Sequence, residues 1–244
     1  MIERALYLVV SSSAAGAREW LGELLPTART GTLQSNSDAS VSLKALLLEA
    51  LSAKRILCAI GREWLVQVPN QFCGVMISNR DEGRWKVLPQ DAEERVRKCL
   101  SRQSESCAAL PSARRAAAAV RLTLNEPWDV LALWLTPVDA ELRPTGEQLR
   151  RLLKVLTPDI AVCAVLLLPG NDAYWWWREK GAETGDLPNA SVEAVVPTLL
   201  RAIGVPIPPQ LGQPVDLLQT PQNSGYTSAE EREIQKRLED LGYL

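Results

Sequence analysis

The chain has 244 residues and a formal net charge of −2, with 46% hydrophobic residues, 23% charged residues and no histidine. That length and apolar content suit one large globular domain, and the near-neutral charge argues against a nucleic acid or acidic membrane held by bulk electrostatics. The missing histidine excludes an imidazole general base, a Ser-His-Asp triad and every histidine metal ligand.

The apolar run Ala5–Val10 is too short for a signal-peptide core or a membrane span, so a cytoplasmic protein is expected. It reads as a first strand buried on both faces, broken by Ser11-Ser12-Ser13. Ala15–Leu25 reads as a helix stopped by Pro26, and Thr30–Ser40 as a polar loop. Leu43, Leu46, Leu47 and Leu51 give Val41–Ala53 a helical spacing, and Arg55–Ile60 is a second short strand. Two further apolar segments, Trp64–Val68 and Phe72–Ser78, lead to a turn at Asn79–Gly83, and Asp91–Arg102 reads as a charged helix. The Ser/Ala-rich stretch Gln103–Arg115 carries the weakest structural signal, and Ala116–Leu124 fits a helix or a strand.

Trp128–Leu135 and Ile160–Leu168 read as continuous apolar strands, with an amphipathic helix at Thr145–Leu156 between them. Ser191–Ile203 reads as a helix closed by Gly204 and the prolines beyond it, and Pro206–Gly225 as a surface crossing. Thr227 and Glu230 form a capping-box pattern at the start of a last helix, Thr227–Leu241. Ile234, Leu238 and Leu241 give that helix an apolar stripe that needs a surface to cover. Apolar strands alternating with helices predict an α/β domain, with a mostly parallel central sheet and helices on both faces.

The five cysteines, Cys58, Cys73, Cys99, Cys107 and Cys163, are odd in number and lack CxxC spacing, so neither a disulfide framework nor a zinc cluster is indicated. The seven basic residues between Asp91 and Arg121, set against four acidic ones, read as a solvated face, with a small anion patch as the alternative.

Four segments carry a resemblance to a family. They are Leu25-Pro26 through Gly31-Thr32-Leu33-Gln34-Ser35, the pair Lys54–Ile60 and Gly74–Arg80, the segment AVVPTLLRAIGVPIP at Ala194–Pro208, and YTSAEEREIQKRLEDLGYL at Tyr226–Leu244. Together they resemble the type I phosphodiesterase/nucleotide pyrophosphatase branch of the alkaline phosphatase superfamily, which is related to the sulfatases. The resemblance implies a truncated alkaline-phosphatase-like fold. A single domain would span 1–225, shortened around 103–121, with an amphipathic helix over 226–244 docking on it.

The family's chemistry implies two metal ions held by about six Asp/His ligands at the C-terminal ends of strands, with a Thr or Ser nucleophile. Here Ser11-Ser12-Ser13 stands where the first Asp is expected, and Ser40 or Ser37 where the nucleophile is. Asp139 matches the first position of a DxxxH element, with Arg143 in the histidine's place. Pro169-Gly170-Asn171-Asp172 replaces an SDHG element, and Trp177, Arg178 or Glu179 stands near the last histidine's place. Asp139 and Asp172 alone cannot hold a zinc pair, because missing ligands leave the ions undercoordinated. No metal or other cofactor is therefore expected, and the chain reads as a pseudoenzyme acting through binding, as a regulatory or complex subunit. Its partner would be another protein or a second copy, and neither nucleic acid nor a membrane. The alternative is an atypical phosphodiesterase or phosphatase using Ser40, Asp139 and Asp172 with weakly held Mg²⁺ or Mn²⁺. A third reading keeps a phosphate-ester pocket without turnover, lined by arginines such as Arg143 or Arg178.

Tyr174-Trp175-Trp176-Trp177 is the most unusual local sequence. Consecutive side chains on a strand or a helix cannot all face one way, so at least one tryptophan is expected at a surface or cleft. Trp175, Trp176 and Trp177 are thus candidates for a partner surface, a plug in the vacated metal pocket or a carbohydrate platform, with plain core packing as the alternative.

Overall fold

The structure, a computed structural model, describes residues 4–34, 57–61, 74–78, 86–100, 110–156 and 159–217. Among them nine strands form one mixed sheet, in the order β5-β4-β3-β6-β1-β7-β8-β2-β9. In chain order these are β1 (Ala5–Ser11), β2 (Arg29–Gln34), β3 (Leu57–Gly61), β4 (Gly74–Ser78), β5 (Lys86–Leu88), β6 (Val130–Leu135), β7 (Ala161–Leu167), β8 (Asp172–Arg178) and β9 (Ala190–Ser191). Strands β4, β3, β6, β1 and β7 run parallel, with β5 antiparallel to β4 and β8 antiparallel to β7. Among the described residues five α-helices accompany the sheet: α1 (Ala17–Leu24), α2 (Glu93–Leu100), α3 (Pro111–Asn125), α4 (Asp139–Val155) and α5 (Val195–Ala202). This is the α/β class that the alternation of segments predicts.

The period of two along each strand divides the interior into two layers. Leu6, Leu8 and Val10 of β1 point to one face, with Leu131, Leu133 and Leu135 of β6 and Val162, Ala164 and Leu166 of β7. They pack against Trp20, Leu21 and Leu24 of α1, Ala116, Ala118 and Ala119 of α3, and Leu149 and Leu152 of α4. The alternate residues Ala5, Tyr7 and Val9 point to the other face, with Val130, Ala132 and Trp134. There they meet Val195, Val196, Leu199 and Leu200 of α5 and Leu211 beyond it. Thr198 fixes that cover: its buried hydroxyl donates to the Ala194 carbonyl at 2.7 Å and accepts the Val215 amide at 2.8 Å.

Several elements differ from the sequence expectation. Arg29–Gln34 is a strand and not a loop, because β8 and β9 supply backbone partners that its polar sequence does not advertise. The ambiguous Ala116–Leu124 is helical and lies within α3, which already starts at Pro111, inside the stretch read as least structured. A proline at the first helical position is well placed, since its missing N–H has no intrahelical partner to lose. Helix α4 begins six residues before the expected Thr145, at Asp139, and takes Pro144 into its second turn. The segments Val41–Ala53 and Trp64–Val68 and the tail 226–244 lie outside the described residues, and so do residues 103–109 of the shortening expected at 103–121. Among the described residues no helix is long and apolar enough to cross a membrane.

Candidate functional site

In open α/β sheets ligands bind beyond the carboxyl ends of the parallel strands. Three described loops meet there: Ser12–Gly16 after β1, Thr136–Val138 after β6, and Leu168–Asn171 after β7. The first is closed on the other two. The buried Ser12 hydroxyl donates to the Pro137 carbonyl at 2.6 Å and accepts the Ala14 amide at 3.1 Å. The Ser12 amide donates to the Leu167 carbonyl at 3.1 Å. The third loop is a tight hairpin, with Gly170 and Asn171 in the left-handed region at φ 85° and 70°. It turns β7 directly into the antiparallel β8, and the Leu168 amide closes it by donating to the Asp172 carbonyl at 2.9 Å.

The sequence-derived residues fall as follows. Asp139 is exposed in the first turn of α4, where a carboxylate complements the positive end of the helix dipole. Asp172 is exposed at the first position of β8. Both lie at the C-terminal edge of the sheet. Among the described residues, no three Asp, Glu, Cys or His side chains gather where they could hold a metal ion. Ser40 and Ser37 lie outside the described residues.

Arg143 and Arg178, each named as a possible lining of a phosphate-ester pocket, do not come together. The Arg143 side chain is 91% exposed in the second turn of α4 and faces Glu147 at 3.6 Å. Arg178 ends β8 opposite Val162, at the start of β7 and so at the other edge of the sheet. Its partial burial lowers its affinity for a proton below the usual arginine range. The basic stretch also contributes to the fold: Arg95 donates through Nε to the buried Glu126 carboxylate at 2.7 Å.

The tryptophans need the other correction. Trp175, Trp176 and Trp177 are 0%, 3% and 1% exposed, so they form no partner surface. The reason is the position of β8, inside the sheet between β7 and β2 with both faces covered. Alternation sends Trp175 and Trp177 into the layer under α5 and Trp176 into the layer under α1. Among the described residues the indole nitrogens of Trp175 and Trp177 have no hydrogen-bond partner, and neither has the Tyr7 hydroxyl in the same layer. Burial, and then the neighbouring Cys163, hold that phenol well above its ordinary value.

A separate cleft of about 650 Å³ opens on the α1 face, beside strand β2. Arg18, Glu19 and Gly22 of α1 form one wall, and Thr30, Gly31 and Thr32 of β2 form the other with Tyr174 and Trp176 of β8. The segment Asp186–Asn189 closes the end. The Arg18 guanidinium lies 4.2 Å from the centre of the Tyr174 ring. The Thr32 hydroxyl is hydrogen-bonded to the Asn189 side chain at 2.5 Å. Asp186–Leu187 is strapped to the sheet by the Leu187 amide on the Thr30 carbonyl, and the Arg29 guanidinium donates to the Asp186 carbonyl. Sequence reasoning missed this cleft, because its lining comes from four segments, in α1, β2, β8 and Asp186–Asn189, that only the fold brings together. One local signal was present: Gly22 stands within a helix that has no need of a glycine.

No family model matches this chain, and no curated protein matches it.

Proposed function

We propose that the chain is a non-catalytic, alkaline-phosphatase-like domain of the cytoplasm that acts by binding, as a regulatory or complex subunit. One observation carries this reading: the loop in the first metal ligand's place is closed by its own hydrogen bonds. Ser12 lies in the Ser11-Ser12-Ser13 stretch where the resemblance puts an aspartate, and its hydroxyl is spent on the Pro137 carbonyl and the Ala14 amide. A serine so engaged offers no negative charge, and an ion there would have to break two buried hydrogen bonds. The tight Pro169–Asn171 hairpin supports the reading at the place of the SDHG element. Asp139 and Asp172 then remain as two solvated carboxylates at the rim.

Metal content after incubation with zinc, manganese and magnesium, followed by desalting, tests this. Near-zero retention is the expected result. One or two ions retained per chain would overturn it and favour a phosphoesterase built on Asp139, Asp172 and Ser40.

A further inference from the structure

We infer that the cleft beside α1 is a binding site for a neutral, hydroxyl-rich ligand, a saccharide. This does not depend on the proposed loss of chemistry, because none of the residues lining the cleft is one on which that proposal rests.

The volume, about 650 Å³, lies within the range of small-molecule sites, roughly 300–1,000 Å³. The charges select against other ligands. Among the described residues Glu19 and Asp186 line the cleft with only Arg18 against them, so a phosphate or other anion meets a net negative wall. A compact cation fares no better, because Arg18 already occupies the face of Tyr174 that would attract it. Among the described residues a planar base finds no open ring to stack on, with Tyr174 covered by Arg18 and Trp176 only 3% exposed.

What the lining does offer is acceptors and donors side by side. Glu19 and Asp186 accept, Arg18 donates, and the Thr30 hydroxyl and the Thr32–Asn189 pair do both. A sugar hydroxyl is itself both donor and acceptor, and so can match such a mixed lining. Gly22 adds an independent observation. A glycine inside a helix costs about 1 kcal/mol relative to alanine, yet a Cβ here would meet nothing within 4 Å and the backbone does not need a positive φ. What the glycine provides is room on the wall of the cleft.

The experiment is saturation-transfer NMR on the full chain with maltose, cellobiose and chitobiose, run beside glucose 6-phosphate and spermidine as charged probes. At least one neutral disaccharide is expected to receive saturation and to be preferred to both charged probes. Glu19→Ala and Asp186→Ala change exposed side chains, so the fold should persist, and each should weaken that binding by about tenfold. Gly22→Phe, which fills the cleft, should abolish it. The inference is overturned if no disaccharide receives saturation, if a charged probe binds in preference, or if binding survives all three substitutions unchanged. The metal-retention result is independent of every one of these outcomes.

Discussion

At the scale of single residues, burial decides chemistry more than residue type does. Cys58 and Cys163 are fully buried strand residues. Desolvation, followed by the nearby Glu126 carboxylate, pushes the Cys58 thiol from its ordinary 9.0 up to about 12. Desolvation alone pushes Cys163 up as well. Neither thiol forms the reactive thiolate in the native state at neutral pH, so both should resist alkylation until the chain unfolds. The sign of the pH effect follows. Above pH 9.0 the unfolded chain loses the Cys58 proton while the folded chain keeps it, so this contribution is full below 9.0 and declines as pH rises toward about 12. Melting temperatures measured from pH 8 to 11 should therefore fall less steeply for Cys58→Ala than for the parent chain. Equal slopes would show that the thiol does not titrate as its burial requires. The core reading of Cys58 and Cys163 was open to the sequence because both lie in apolar runs. The neighbouring Glu126 was not, since it is 68 positions away in the chain.

At the scale of elements, two glycines have opposite roles. Gly31 on β2 faces Trp175 across the β2–β8 pair, and a Cβ there would lie 2.6 Å from the indole nitrogen and 2.8 Å from Leu187 Cβ. Gly31→Ala should cost about 1–3 kcal/mol, because neither the sheet nor the strap can yield without moving backbone. Gly22→Ala should instead stabilise by up to about 1 kcal/mol, because its Cβ meets open space on a helix. Chemical denaturation of the two variants reads both effects. A stabilised Gly31→Ala would mean that β2 and Leu187 are not packed as described. The same pair of strands shows why the sequence misplaced this region. Arg29–Gln34 has neither apolar alternation nor β-branched enrichment beyond two threonines, so only the neighbours that flank it make it a strand.

At the scale of the whole molecule, the two apolar layers share the same strands. Each residue step along β1, β6 and β7 alternates between the layer under α1–α4 and the layer under α5. Neither layer can be lost while the other persists, since both need the same backbone ladder. Calorimetric unfolding should thus give a single transition, with the calorimetric and van't Hoff enthalpies equal. Two separated transitions would contradict the shared sheet.

The sequence by itself determined the α/β class, the apolar central strands and the absence of histidine chemistry. These depend on composition and local periodicity, which no folding event can alter. Only the tertiary structure decided that the three tryptophans are buried and that Arg143 and Arg178 lie toward opposite edges of the sheet. Only it shows Ser12 closing on Pro137, 125 positions away, and Arg18, Thr30 and Asp186 lining one cleft. The physical reason is common to all of these. Strand order and crossover decide which distant segments become neighbours, and side-chain environments are set by those neighbours and not by adjacency in the chain.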